Sequence, residues 1–160
     1  MWQVKSTSEE MTERLGRLLG EILLPGTVVA LNGELGAGKT VFARGVASGL
    51  GVKETVSSPS FVLMNIYQGK VPLYHFDFYR LEQEEELLEL GLEEYFYSQG
   101  VTLVEWAEKF PAALPETRLE IEIVKDADDL ENSRIITFIA RGNLPEGLFE
   151  ELRKVVAFGP

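Results

Sequence analysis

The residues Gly33-Glu34-Leu35-Gly36-Ala37-Gly38-Lys39-Thr40 fit the phosphate-binding pattern G-x-x-x-x-G-K-[ST]. Such a loop needs glycines because consecutive backbone N–H groups must turn inward around a polyphosphate, and a following helix adds partial positive charge at the same point. Lys39 then supplies a mobile cation for the β- and γ-phosphates, and Thr40 offers a hydroxyl to Mg²⁺. This chemistry also needs acids at the metal and at the attacking nucleophile, normally at the carboxyl ends of apolar strands. Two positions qualify. Asp77 lies in Val71-Pro72-Leu73-Tyr74-His75-Phe76-Asp77-Phe78-Tyr79-Arg80, and Glu105 closes Val101-Thr102-Leu103-Val104-Glu105. An acid behind several apolar residues is costly to bury unless it is paired or beside a metal. Glu105 is therefore expected to bind metal or position water, rather than to be an ordinary strand-end carboxylate. Asp77 is expected to serve the active site, the alternative being an ion pair with Arg80.

Two further features are weaker. Thr55-Val56-Ser57-Ser58-Pro59-Ser60-Phe61 stands where many phosphate-loop proteins place a segment that orders around the γ-phosphate, but a Ser/Pro turn before a strand reads equally well. His75 alternates onto the strand face of Asp77, so it could face the nucleotide, although a lone histidine among aromatics is more often structural.

These residues have to be placed by regular elements. Ser6 to Leu24 reads as a helix, with Ser and Thr before Glu9 and Glu10 as a capping box and Met11, Leu15, Leu18, Leu19 and Ile22 at helical spacing. Pro25-Gly26 ends it. Thr27 to Leu31 has the continuous apolar character of a strand buried on both faces, and Val41 to Leu50 follows the loop as a helix stopped by Gly51. Phe61 to Tyr67 and Val71 to Phe78 flank Gln68-Gly69-Lys70 as an antiparallel hairpin. Glu82 to Phe96 is helical in spacing and broken at Gly91, and Val101 to Val104 is a further buried strand. Leu119 to Ile123 and Ile135 to Ile139 alternate as a half-exposed second hairpin around a loop over Lys125 to Asn132. An amphipathic helix over Pro145 to Val156 follows. The expected fold is α/β: a three-layer sandwich of the P-loop NTPase type, with a central, mostly parallel sheet, antiparallel hairpin additions and flanking helices, in one domain over residues 1–160.

The 160 residues carry 45% apolar and 26% charged side chains, enough for a core without disulfides. Zero cysteines removes thiol catalysis and thiolate metal sites. Fifteen Lys plus Arg against 26 Asp plus Glu give a net charge of -11, which disfavours unaided tight binding of DNA or RNA. Seven glutamates between Glu82 and Glu94 carry most of that excess; setting them aside leaves -4. A solvated helix face is the expected role of this run, and docking on a basic partner is the alternative. The absence of a basic region followed by an apolar run, and of any long apolar stretch, leads to the expectation of an unprocessed cytoplasmic protein without a membrane association.

None of the asparagines Asn32, Asn65, Asn132 and Asn143 is followed by lysine, so the guanine-reading Asn-Lys-x-Asp motif is missing and ATP is the expected nucleotide. A small-metabolite kinase is an enzymatic alternative, but the eight arginines are scattered and form no lid segment. A nucleotide-gated binding module with incidental hydrolysis is the non-enzymatic one.

Taken in order, Gly33 to Thr40, Val56 to Phe61, His75-Phe76-Asp77-Phe78-Tyr79-Arg80-Leu81 and Val104-Glu105-Trp106 resemble the bacterial TsaE (YjeE) family, over nearly the whole chain. One departure is Ser60, where the family commonly has threonine. The resemblance implies an ATPase, weakly active alone, that supports threonylcarbamoylation of tRNA adenosine by acting on a TsaD–TsaB heterodimer, with tRNA met only through those partners. It further implies that Lys39 and the Gly36 to Gly38 backbone bind phosphates, that Thr40 and Glu105 bind Mg²⁺, and that Asp77 contacts the nucleotide site and supports hydrolysis. Ser57 to Phe61 is implied as a switch-like loop, with residues near Glu9 and Arg134 approaching the nucleotide.

Overall fold

The computed structural model describes residues 1–34, 36–59, 63–145 and 147–158, with side chains up to Lys154. Its described strands form one mixed sheet in the order β1-β7-β6-β2-β5-β4-β3. The centre is parallel: β2 (Val28–Asn32) lies between β6 (Arg118–Asp126) and β5 (Val101–Glu105), and β5 pairs in parallel with β4 (Pro72–Asp77). The remaining pairings are antiparallel and add β3 (Met64–Gln68) at one edge and β7 (Asp129–Arg141) with β1 (Trp2–Ser6) at the other. The sheet is thus parallel where the expected site lies and antiparallel at its margins.

Val28 to Leu31 and Val101 to Glu105 are buried throughout, which explains their largely apolar, β-branched character. One face of the sheet is covered by α1 (Glu9–Ile22), α2 (Lys39–Gly49) and α5 (Gly147–Phe158), around Leu19, Phe42, Val46, Leu73, Leu103 and Phe138. The other is covered by α3 (Glu84–Leu88) and α4 (Leu92–Phe96), around Phe76, Phe78, Leu81, Phe96 and Val104. Along β4 the side chains alternate between the two cores, so Leu73, His75 and Asp77 share the α2 face. No helix of the described residues is long and apolar enough to cross a membrane.

Two local expectations change, at β1 and at the β6–β7 hairpin, and the break expected at Gly91 is found. Ser6 belongs to β1, and α1 starts after Ser8, whose hydroxyl accepts a single bond from the Met11 amide at 3.1 Å rather than forming a capping box. The 82–96 segment is two short helices, α4 being entered through Gly91 at φ 63°, and all seven of its glutamates are exposed. β6 and β7 extend well past the expected hairpin and turn between Asp126 and Asp129, which carries Arg134 toward the Gly33 to Thr40 loop.

The placement of α2 depends on glycine. Gly16 and Gly20 of α1 face Gly45 and Gly49 of α2, and a methyl on Gly45 would overlap the Glu13 carbonyl while one on Gly16 would overlap that of Phe42. In an isolated helix, alanine is favoured over glycine by about 1 kcal/mol. Here the clash is with backbone, which cannot rotate aside, so the steric term wins. Gly45→Ala is expected to cost about 2–3 kcal/mol and lower the melting temperature by about 5–10 °C, read by calorimetry against wild type.

Candidate functional site

The carboxyl ends of β2, β4 and β5 open into a cleft of about 680 Å³ lined by the Gly36 to Thr40 loop, Asp77 and Glu105, with walls from α1 and the β6–β7 hairpin. The loop turns through Gly33 at φ 151°, Gly36 at φ 79° and Gly38 at φ 107°, conformations that side chains resist. Leu35 lies outside the described residues. Gly38 starts α2 with no side-chain cap, so the first-turn amides of a long, buried helix face the cleft end without a competing protein acceptor from a capping side chain.

Lys39 is largely buried, and its ammonium donates to the carbonyls of Gly33 and of Glu34, the latter at 3.2 Å. It also sits 3.6 Å from the centroid of the Trp106 ring. Trp106 reaches this position through a left-handed backbone at φ 58°, held by its amide bond to the Leu31 carbonyl at 3.2 Å. A non-glycine residue in that region stores strain that the surrounding packing must offset. Burial pushes the Lys39 pKa below its ordinary value, opposed by the carboxylates of Glu108, Glu105, Asp77 and Glu34.

Asp77 and Glu105 are register partners on adjacent parallel strands, both almost fully buried and both lining the cleft. Asp77 accepts from the Ser58 hydroxyl at 2.9 Å and from the Tyr79 amide at 2.8 Å. Ser58 thereby ties the segment after α2 to the site, while Ser60 and Phe61 of that expected switch lie outside the described residues. Glu105 is bonded to His75, Oε2 to Nε2 at 2.6 Å. Arg80, the alternative ion-pair partner of Asp77, lines the same cleft.

From the far side, Arg134 of β7 donates through Nε to the Ala37 carbonyl at 2.8 Å and through Nη2 to that of Gly36 at 3.3 Å, while Nη1 holds Leu130 and Ser133 carbonyls. The planar fork braces two successive peptides of the loop from outside. Arg134→Ala is expected to weaken ATP affinity about tenfold, or ~1.4 kcal/mol, without unfolding the protein. Arg134→Lys should recover little of it, because an ammonium lacks the fork; isothermal calorimetry on the three proteins checks both outcomes. Glu9 lines the cleft too, as do Thr12 beside it on α1 and Glu131 and Asn132 just before Arg134, the two neighbourhoods that the family resemblance singles out.

The comparisons with known proteins fall on this geometry. The family model described as "Threonylcarbamoyl adenosine biosynthesis protein TsaE" matches residues 6–136. The chain belongs to the TsaE family. The protein of Bacillus subtilis (strain 168) named "tRNA threonylcarbamoyladenosine biosynthesis protein TsaE" is 46% identical over 151 residues, 94% of this chain and 92% of that one. One of the same name from Treponema pallidum (strain Nichols) is 42% identical, over 77% of this chain and 91% of its own. The crystal structure of Bacillus subtilis YdiB superposes with a TM-score of 0.82 at 42% identity, covering 96% of this chain and 94% of that one. The TsaE match spans every motif of the cleft, from the phosphate loop through Glu105 to Arg134.

The donor set suits Mg²⁺–ATP. Three loop glycines leave room for phosphate against backbone, and Lys39 already holds oxygens of the loop. No group of three or more His, Asp or Glu able to hold a metal occurs among the described residues. Mg²⁺ fits such a place, since it takes one or two protein oxygens and completes its octahedron with phosphates and water. Thr40 and Glu105 offer those oxygens.

Proposed function

We propose that this chain is an ATPase that binds ATP and Mg²⁺ in the cleft and spends the nucleotide cycle on tRNA threonylcarbamoyladenosine biosynthesis. The observation that carries the reading is the convergence of Lys39, the uncapped start of α2 and two buried carboxylates from adjacent strands on one cleft. A lysine, amides and acids so arranged match what phosphoryl transfer asks of a protein, which is positioning and charge neutralisation rather than covalent chemistry.

In this mechanism the α2 amides and Lys39 bind the β- and γ-phosphates, Lys39 exchanging loop carbonyls for phosphate oxygens. Thr40 and Glu105 would hold Mg²⁺, which when bound neutralises charge on the bridging oxygens. A water attacks the γ-phosphate, oriented by Glu105 or by Asp77, which is itself fixed by Ser58 and the Tyr79 amide. Trp106 covers Lys39 and keeps water from that side of the loop.

Membership of the TsaE family supports the place of the cycle in tRNA modification. The partners proposed are TsaD and TsaB. With a net charge of -11 the chain is suited to serve tRNA at one remove, the partners holding the polyanion while it supplies nucleotide turnover. Reconstitution from purified components tests this: repeated modification of tRNA should require this chain, ATP and Mg²⁺. Repeated turnover without the chain overturns the assignment, and phosphate appearing on a small metabolite would replace it with a kinase.

A further inference from the structure

β4 and β5 present three titratable side chains to the α2 side of the sheet, of which Asp77 and Glu105 open on the cleft and His75 does not. Asp77 stands beside Glu105 in register, while His75 lies one pleat deeper beside Leu103. From there the imidazole reaches diagonally, Nε2 to the Glu105 Oε2 at 2.6 Å, the imidazole fully buried and the carboxylate 2% exposed where it lines the cleft. His75 Nδ1 is buried with no hydrogen-bond partner among the described residues. A fold seeking only stability gains nothing from an imidazole here, because an orphaned buried nitrogen costs free energy that an apolar side chain, like Leu73 or Leu103 beside it, avoids.

We infer that His75 is a positioning residue: its Nε2–H occupies Oε2 and fixes the rotamer of Glu105, so that Oε1 is the oxygen offered to Mg²⁺ in the cleft. This rests on the reading that Glu105 serves Mg²⁺–ATP. A carboxylate free to rotate would sample several directions before meeting the metal, and partners behind a ligand commonly decide how well it binds.

The test compares His75→Leu, which removes the donor, with His75→Gln, whose terminal amide carries an N–H to the same reach. Mn²⁺ affinity is read by electron paramagnetic resonance on the nucleotide-bound full chain, and metal-free nucleotide affinity by calorimetry. His75→Leu is expected to weaken Mn²⁺ binding about 10–100-fold while metal-free nucleotide affinity stays within about twofold, and His75→Gln to recover most of the loss. Should the leucine variant fail to fold, His75→Asn replaces it, its amide being too short to reach Oε2. Unchanged Mn²⁺ affinity in the leucine variant, or a glutamine variant no better than leucine or asparagine, overturns the inference. A wild-type chain that binds no nucleotide overturns the underlying reading instead, so the two failures are distinct.

Discussion

Lys39→Ala removes ATP binding, with affinity falling at least about 100-fold, or ~2.7 kcal/mol, and the fold intact. The size follows from the charge of the ligand. A triphosphate entering an acidic protein meets Glu34, Asp77, Glu105 and Glu108 around the loop, and Lys39 is the cation whose charge those four carboxylates stabilise. Without it, the α2 amides alone would face both the phosphates and the acids. The fold should survive because burial already works against the Lys39 charge, so its removal relieves a desolvation cost and gives up only bonds to two loop carbonyls and a stack on Trp106. Calorimetric titration with ATP, together with a thermal melt, decides it. Unchanged affinity would remove the phosphate-loop reading, and a melt lowered by many degrees would show that the loss was one of folding.

The residues of the cleft and the elements that brace them were not equally legible in the sequence. The loop and Glu105 could be read because their signal is local: β2 and β5 are buried along almost their whole length and carry few polar residues, so the acid that closes β5 stands out, and Asp77 stands out as the acid that closes β4. The hairpin between β3 and β4 was legible for the same reason, its Gly69 turn lying between two β-rich runs. β1 was not. Trp2 to Ser6 is an edge strand whose partner is β7, more than a hundred residues away, and its Ser6-Thr7-Ser8 end carries helix-cap chemistry that pulls the reading toward α1. The glycines of α1 and α2 read singly as helix weaknesses and gain meaning only when the two helices face each other. Arg134 and His75 follow the same rule. Each was visible as a residue type, but the Ala37 carbonyl and the Glu105 carboxylate they bond are fixed by sheet order, and the turn at 126–129 that delivers Arg134 is tighter than the loop composition suggests. The motif residues were legible; the partners that His75 and Arg134 bond were not.

Glu105→Gln should retain nucleotide binding and lose Mg²⁺-dependent hydrolysis, kcat falling on the order of 10²–10³-fold. The amide is nearly isosteric, and its oxygen still accepts from the His75 Nε2–H, so the buried pair and the β4–β5 register should persist. What changes is charge. Asp77 and Glu105 are like-charged neighbours on adjacent strands, and bringing a triphosphate beside them is unfavourable until Mg²⁺ intervenes. Neutralising Glu105 therefore has opposite signs for the two measurements: ATP affinity without metal should be equal to or higher than wild type, and the gain in affinity on adding Mg²⁺ should shrink. Asp77→Asn provides the contrast. Its carboxylate is already engaged by Ser58 and the Tyr79 amide, so substitution should slow turnover with less effect on the Mg²⁺ gain. If Glu105→Gln keeps the full Mg²⁺ gain while Asp77→Asn loses it, the metal role belongs to Asp77 and the His75–Glu105 pair is left to water positioning alone.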